Sequence, residues 1–133
     1  MKTLPNIEGL TSTELISGLL LYIGSRKFSE QSLYRFLRTL ETESPSLRER
    51  LRIAGPDDRL RSEPVRRIIN YLEMGKILEV AMPNPVDQFF RPRSSQLESV
   101  RRQLTQRGVL PIHEEVFKEL ASGFTAFTSS SVT

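Results

Sequence analysis

The stretch from Ser62 to Arg93, SEPVRRIINYLEMGKILEVAMPNPVDQFFRPR, decides how this chain is read. Ser62 is an N-cap candidate, because its hydroxyl can accept from a first-turn backbone N–H that has no partner inside the helix. Pro64 falls in that first turn, where a missing N–H costs little. Val65, Ile68, Ile69 and Leu72 follow at i, i+3, i+4 and i+7, one apolar stripe of a helix over about 62–74. Arg66, Arg67, Asn70 and Glu73 lie off the stripe, so the outer face is polar and mostly cationic. Gly75 is expected to stop the helix by taking the left-handed conformation. Lys76–Met82 is β-rich, Pro83-Asn84-Pro85 is a turn, and Val86–Arg91 is a second β-like run before Pro92-Arg93.

Upstream, the first ten residues read as a tail or short arm. Thr11-Ser12-Thr13-Glu14 is a capping box that opens a helix to about Ile23, ended by Gly24. Leu15, Ile16, Leu19, Leu20 and Ile23 share one face, and Leu21 and Tyr22 broaden it. A helix that apolar must be covered on more than one side, as core or as an oligomer seam. Ser29 caps the next helix, about Glu30–Glu41, with Leu33, Phe36, Leu37 and Leu40 inward. Ser44-Pro45 starts a short one to about Ile53, and Gly55-Pro56-Asp57-Asp58 is a turn cluster. Downstream, Ser95-Gln96-Leu97-Glu98 is a second capping box for a helix burying Leu97, Val100 and Leu104 and stopping at Gly108. Val109–Ile112 is expected to be extended, His113–Ser122 a last short helix, and the Ser- and Thr-rich residues 124–133 a disordered tail. Residues 1–123 make a single domain, mainly α with a small antiparallel β-hairpin.

Length and composition fit that reading: 133 residues, 38% hydrophobic, suffice for one core. The longest apolar run, Leu19–Ile23, is too short to span a bilayer, and MKTLPNIEGL lacks the pattern of a secretory signal. The absence of cysteine excludes disulfides and thiolate chemistry, so a cytoplasmic home is expected. Charge is unevenly placed. Residues 48–107 carry 13 basic groups against 8 acidic, and 12 of the 13 are arginine. Arginine's planar donor fork suits phosphate oxygens and guanine edges, so the excess points to nucleic acid. The interspersed carboxylates keep a plain solvated surface as the alternative.

Residues 31–93 together resemble the winged helix-turn-helix superfamily. The resemblance rests on FLRTLE (Phe36–Glu41), SPSLRERLRI (Ser44–Ile53) and SEPVRRIINYLEMGKI (Ser62–Ile77), followed by the proline-tipped hairpin. It implies a winged helix-turn-helix with extra N- and C-terminal helices, in which the helix at 62–74 enters the major groove and residues 76–93 form the wing. The turn Ala54–Arg61 is longer than the superfamily's three or four residues. Two registers stay open: the bracing helix is either 45–53, or 30–41 with Lys27-Phe28 as a small first strand and 42–60 as an insertion.

Catalytic and metal chemistry find no foothold. His113 is the sole histidine, Asp57-Asp58 fits a turn, and there is no phosphate-binding glycine loop or nucleophile elbow. Neither an enzyme nor a cofactor is expected, and no small-molecule effector is indicated. Phe89 and Phe90 alternate across a strand, so one faces the core, and Tyr71 reads as half-buried core. The expectation is a small transcriptional regulator binding double-stranded DNA as a homodimer. Arg66, Arg67 and Asn70 would face bases or phosphates, Arg91 and Arg93 would grip the backbone, and Arg59 and Arg61 would clamp phosphate near the helix N-terminus. The rival is a winged-helix protein-interaction module or assembly subunit, favoured by Glu63, Glu73, Glu79 and Asp87.

Overall fold

A computed structural model describes residues 7, 9–42, 44–82 and 87–130. Its elements run α1 (Ser12–Ile23), β1 (Phe28–Ser29), α2 (Glu30–Glu41), α3 (Pro45–Leu51), α4 (Glu63–Met74), β2 (Leu78–Met82), β3 (Phe89–Pro92), α5 (Ser94–Gln106) and α6 (Glu114–Ser130). The described residues are thus mainly helical, with one small antiparallel sheet in the order β1-β3-β2. Phe28 faces Phe90 across β1 and β3, while Glu79 faces Arg91 across β2 and β3. Among the described residues no helix is long and apolar enough to cross a membrane.

Local chemistry explains the helix starts. Thr11 and Glu14 form the reciprocal capping box of α1, and Ser29, Ser44 and Ser62 each accept from the backbone N–H three residues on. The Ser62 hydroxyl also donates to the Leu51 carbonyl, so one buried serine starts α4 and ties it to the end of α3. The broad apolar face of α1 is used inside the chain. Leu15, Ile16, Leu19 and Leu20 are at most 1% exposed, covered by α5 and α6. Gly18 permits the close approach, since a Cβ there would lie 2.3 Å from the Phe117 ring. The reason to expect an oligomer seam on α1 is removed.

Several expectations need correction. Residues 124–130 are not a tail: α6 continues to Ser130, and Phe124 is 2% exposed, with its ring 5.2 Å from that of Phe36. Residues 131–133 lie outside the described set. Ile7 and Leu10, expected in an arm, are core. Residues 110–113 turn rather than extend. α5 begins one residue before the expected box, at Ser94, and its N-cap Arg93 makes no side-chain capping bond. Gly75 is not left-handed (φ −80°). Lys76 takes that conformation (φ 63°), and its N–H donates to Glu73 O while Ile77 N–H donates to Leu72 O. The pattern is that of a Schellman cap with the left-handed residue one place later. The expected Pro83-Asn84-Pro85 turn lies outside the described residues. The small strand that only the second register required is present as β1, one residue later than expected, at Phe28–Ser29 rather than Lys27-Phe28.

Candidate nucleic-acid interface

The apolar stripe of α4 is buried as its spacing requires, with Val65 and Ile69 at 0% exposure, and this sets what faces outward. Glu63, Arg67, Asn70, Tyr71 and Met74 form the exposed stripe, and Lys76 is exposed just beyond it. Tyr71 is 66% and Met74 84% exposed, so Tyr71 is surface and not half-buried core. Met74 stands nearly opposite the centre of the apolar stripe at about 100° per residue, a placement that helical geometry alone contains.

Arg66 departs from its expected role. It stands about 110° from the stripe's centre, near enough for a long side chain to turn toward α2. One of its guanidinium nitrogens donates to both oxygens of Glu30 at 3.1 Å. Tyr34 donates to the same carboxylate at 2.6 Å, and burial, then this bond, raises the Tyr34 pKa. Arg66 is therefore a tie between α2 and α4 rather than an open groove contact. Arg67 remains outward. Its partner Glu63 lies 3.5 Å away with both side chains about three-quarters exposed, a pair that water screens and that exchanges at little cost.

The loop before α4 is a miniature hairpin. Ala54 and Arg61 exchange both backbone hydrogen bonds, and Gly55 (φ 109°) makes the turn. A Cβ on Gly55 would sit 2.7 Å from the Arg59 carbonyl oxygen. Gln31 fixes this hairpin: its amide donates to Leu60 O at 2.9 Å and its carbonyl accepts from Leu60 N at 2.8 Å. Arg38 adds a 3.4 Å ion pair to Asp57. With Leu60 turned in, Arg59 and Arg61 are exposed on either side, and neither has an ion pair among the described residues. Nothing in the sequence marks Gln31 for this task, because its partner lies 29 residues away and no periodicity links the two.

On the sheet, Arg91 and Arg93 both turn to Glu79, at 3.1 and 3.6 Å, which leaves the trio a net single positive charge. Asp87 accepts from Gln31 N at 2.9 Å, tying the end of the β2–β3 connection to α2. The predicted residues therefore separate into three groups: Arg59 and Arg61 leading into the capped start of α4, Arg67 and Asn70 on its outer face, and Arg91 with Arg93 around Glu79. Among the described residues no group of three His, Asp or Glu could hold a metal. No family model, no curated protein and no solved structure matches the chain.

Proposed function

We propose that residues 12–93 form a winged helix-turn-helix that binds duplex DNA in transcription regulation, with α4 as recognition helix and the β2–β3 hairpin as wing. The order α1-β1-α2, then α4-β2-β3, with β1 paired to β3, is the arrangement such a domain needs. In this frame α2 is tied to α4 through Glu30 and Arg66, while α3, which packs against both helices, and the 54–61 hairpin are an insertion. The observation that carries the reading is the pair of open arginines, Arg59 and Arg61, immediately before the N-terminus of α4. Arg67 and Asn70 are exposed along the same helix. Phosphate binding at a helix start and polar contacts further along it is how such a helix is held in a groove.

The reading is for a single copy as the binding unit, since the apolar surplus that argued for a homodimer is consumed within the chain. Its test is the affinity for duplex DNA, by fluorescence anisotropy, at two salt concentrations. A steep loss as salt rises is expected, and salt-independent binding or none overturns it.

A second reading has its own observation. Tyr71 and Met74 on α4, with Val80 (39% exposed) and Met82 (45%) on β2, place apolar surface on the same helix and hairpin. A protein-docking module uses such residues as anchors. Tyr71→Ser with Met74→Ser separates the two, since it should abolish partner docking yet cost DNA affinity much less than removal of Arg59 and Arg61.

A further inference from the structure

The end of α1, the following turn and the outer side of α6 border an open, two-part surface groove that no α4 residue lines. Its wider part has a volume of about 500 Å³ and the inner part about 200 Å³. Ile23, Arg26 and Thr125 line both, so the parts are continuous. At its floor Ile23, Phe28 and Phe124 present apolar edges, each at most 7% exposed, among the threonines of α6. The rim is cationic: exposed Arg26 lines both parts, Lys27, 5.4 Å over the Phe89 ring, lines the inner part, and Lys118 lines the wider part. No carboxylate is among the described lining residues. Lys118 pairs at 3.7 Å with Glu115, an exposed contact that water weakens and an anion can replace. Glu114, on the adjacent turn, is held by the Tyr22 hydroxyl, which donates to it at 3.0 Å.

An apolar floor bounded by cations and hydroxyls, without opposing carboxylates, selects a ligand with a flat apolar body and one negative charge. We propose that this groove binds a small aromatic carboxylate, with the ring over the Ile23–Phe28–Phe124 floor and the carboxylate between Arg26 and Lys118. Arg26 supplies the planar fork that matches a carboxylate, and Lys118 adds a point charge. The site is independent of the DNA reading, since none of its lining residues belongs to α4 or the β2–β3 hairpin.

The test uses 2-naphthoate as probe and neutral 2-naphthalenemethanol as comparison, by calorimetry and amide chemical shifts on the intact protein. Saturable naphthoate binding is expected, with shifts gathered at residues 22–28 and 118–128. The alcohol should bind at least about tenfold more weakly, because it forfeits the charge-assisted bonds. Arg26→Gln with Lys118→Gln should weaken naphthoate to a similar degree, and Arg102→Gln, exposed on α5 outside the groove, should leave it unchanged. Absence of saturable binding, equal affinity for acid and alcohol, or shifts gathered elsewhere overturns the proposal. The acid–alcohol comparison on the unsubstituted protein decides regardless of how the variants fold.

Discussion

Arg66 on α4 reaches both carboxylate oxygens of Glu30 on α2 at 3.1 Å, and this ties the helix that carries the proposed DNA contacts to α2. Glu30 is 16% exposed and Arg66 39%, so the pair is neither dry nor free in solvent. Solvent screening discounts its worth accordingly, yet removal of the arginine leaves a half-buried carboxylate with Tyr34 as its remaining donor.

Arg66→Ala should cost about 1 kcal/mol of folding stability, allowing for that screening. Arg67→Ala, one residue along and paired only at the surface, should stay within about 0.5 kcal/mol of the original. Urea midpoints for the two variants make the comparison. Equal, negligible shifts would mean that Arg66 is as free as Arg67 and able to meet a ligand.

Gln31 holds the Leu60 backbone by both its amide atoms, and Gln31 and Leu60 are 8% and 3% exposed. Gln31→Ala strands a buried N–H and a buried C=O, at a cost of about 1–3 kcal/mol for a group left unpaired. It should also loosen the 54–61 hairpin more than the rest of the chain. Hydrogen exchange at the Leu60 and Arg61 amides should accelerate ahead of Ile69. Uniform acceleration across these amides would show that the amide pairing has no local role.

The helices from α1 to α4 are legible because their signals are local: a hydroxyl at each cap and an apolar repeat of 3.6. The same repeat runs on in α6, where composition conceals it. Phe117, Leu120, Ala121 and Phe124 stand at i, i+3, i+4 and i+7 on one buried face, while Gly123 and the surrounding Ser and Thr suggest an end. Arg66 eludes the sequence for a different reason. A flank position on a helix can serve solvent or a neighbouring helix, and only the position of α2 decides. Of the candidate site, the outward setting of Arg59, Arg61, Arg67 and Asn70 is readable from the chain. The Glu79 partnership of Arg91 and Arg93 is not, because it depends on strand register: Glu79 meets Arg91 only once β2 and β3 are aligned.

Glu41 is 4% exposed, and burial raises its pKa, opposed by the Ile53 N–H at 3.5 Å and by Arg48 and Arg38. A carboxyl with a raised pKa in the folded state favours folding while protonated, and loses that contribution as pH rises through the folded-state value. Glu41→Gln keeps an acceptor for Ile53 without the ionisable group. Between about pH 4, near the ordinary glutamate value, and pH 7, the original protein should lose stability relative to Glu41→Gln. Urea midpoints of both proteins at the two pH values test this. An unchanged or reversed difference would show that Glu41 ionises in the fold without penalty.

The DNA reading stands or falls on Arg59 and Arg61. Both are exposed, so Arg59→Ala with Arg61→Ala should change stability by no more than about 0.5 kcal/mol each. If they meet phosphates, affinity should fall on every duplex sequence, and the salt slope should lessen by about 1 for each phosphate no longer neutralised. Asn70→Ala should behave differently: an amide that reads a base edge is worth about 1–3 kcal/mol on a preferred sequence and little on others. The matched control is Arg26→Ala with Arg102→Ala, two exposed arginines that belong to neither α4 nor the hairpin. Equal effects from the two arginine pairs would reduce the interaction to diffuse attraction by net charge. Unchanged affinity without Arg59 and Arg61, in a protein that still melts normally, would leave α4 with Tyr71 and Met74 as its exposed large apolar side chains, and the docking reading would then be the one the surface supports.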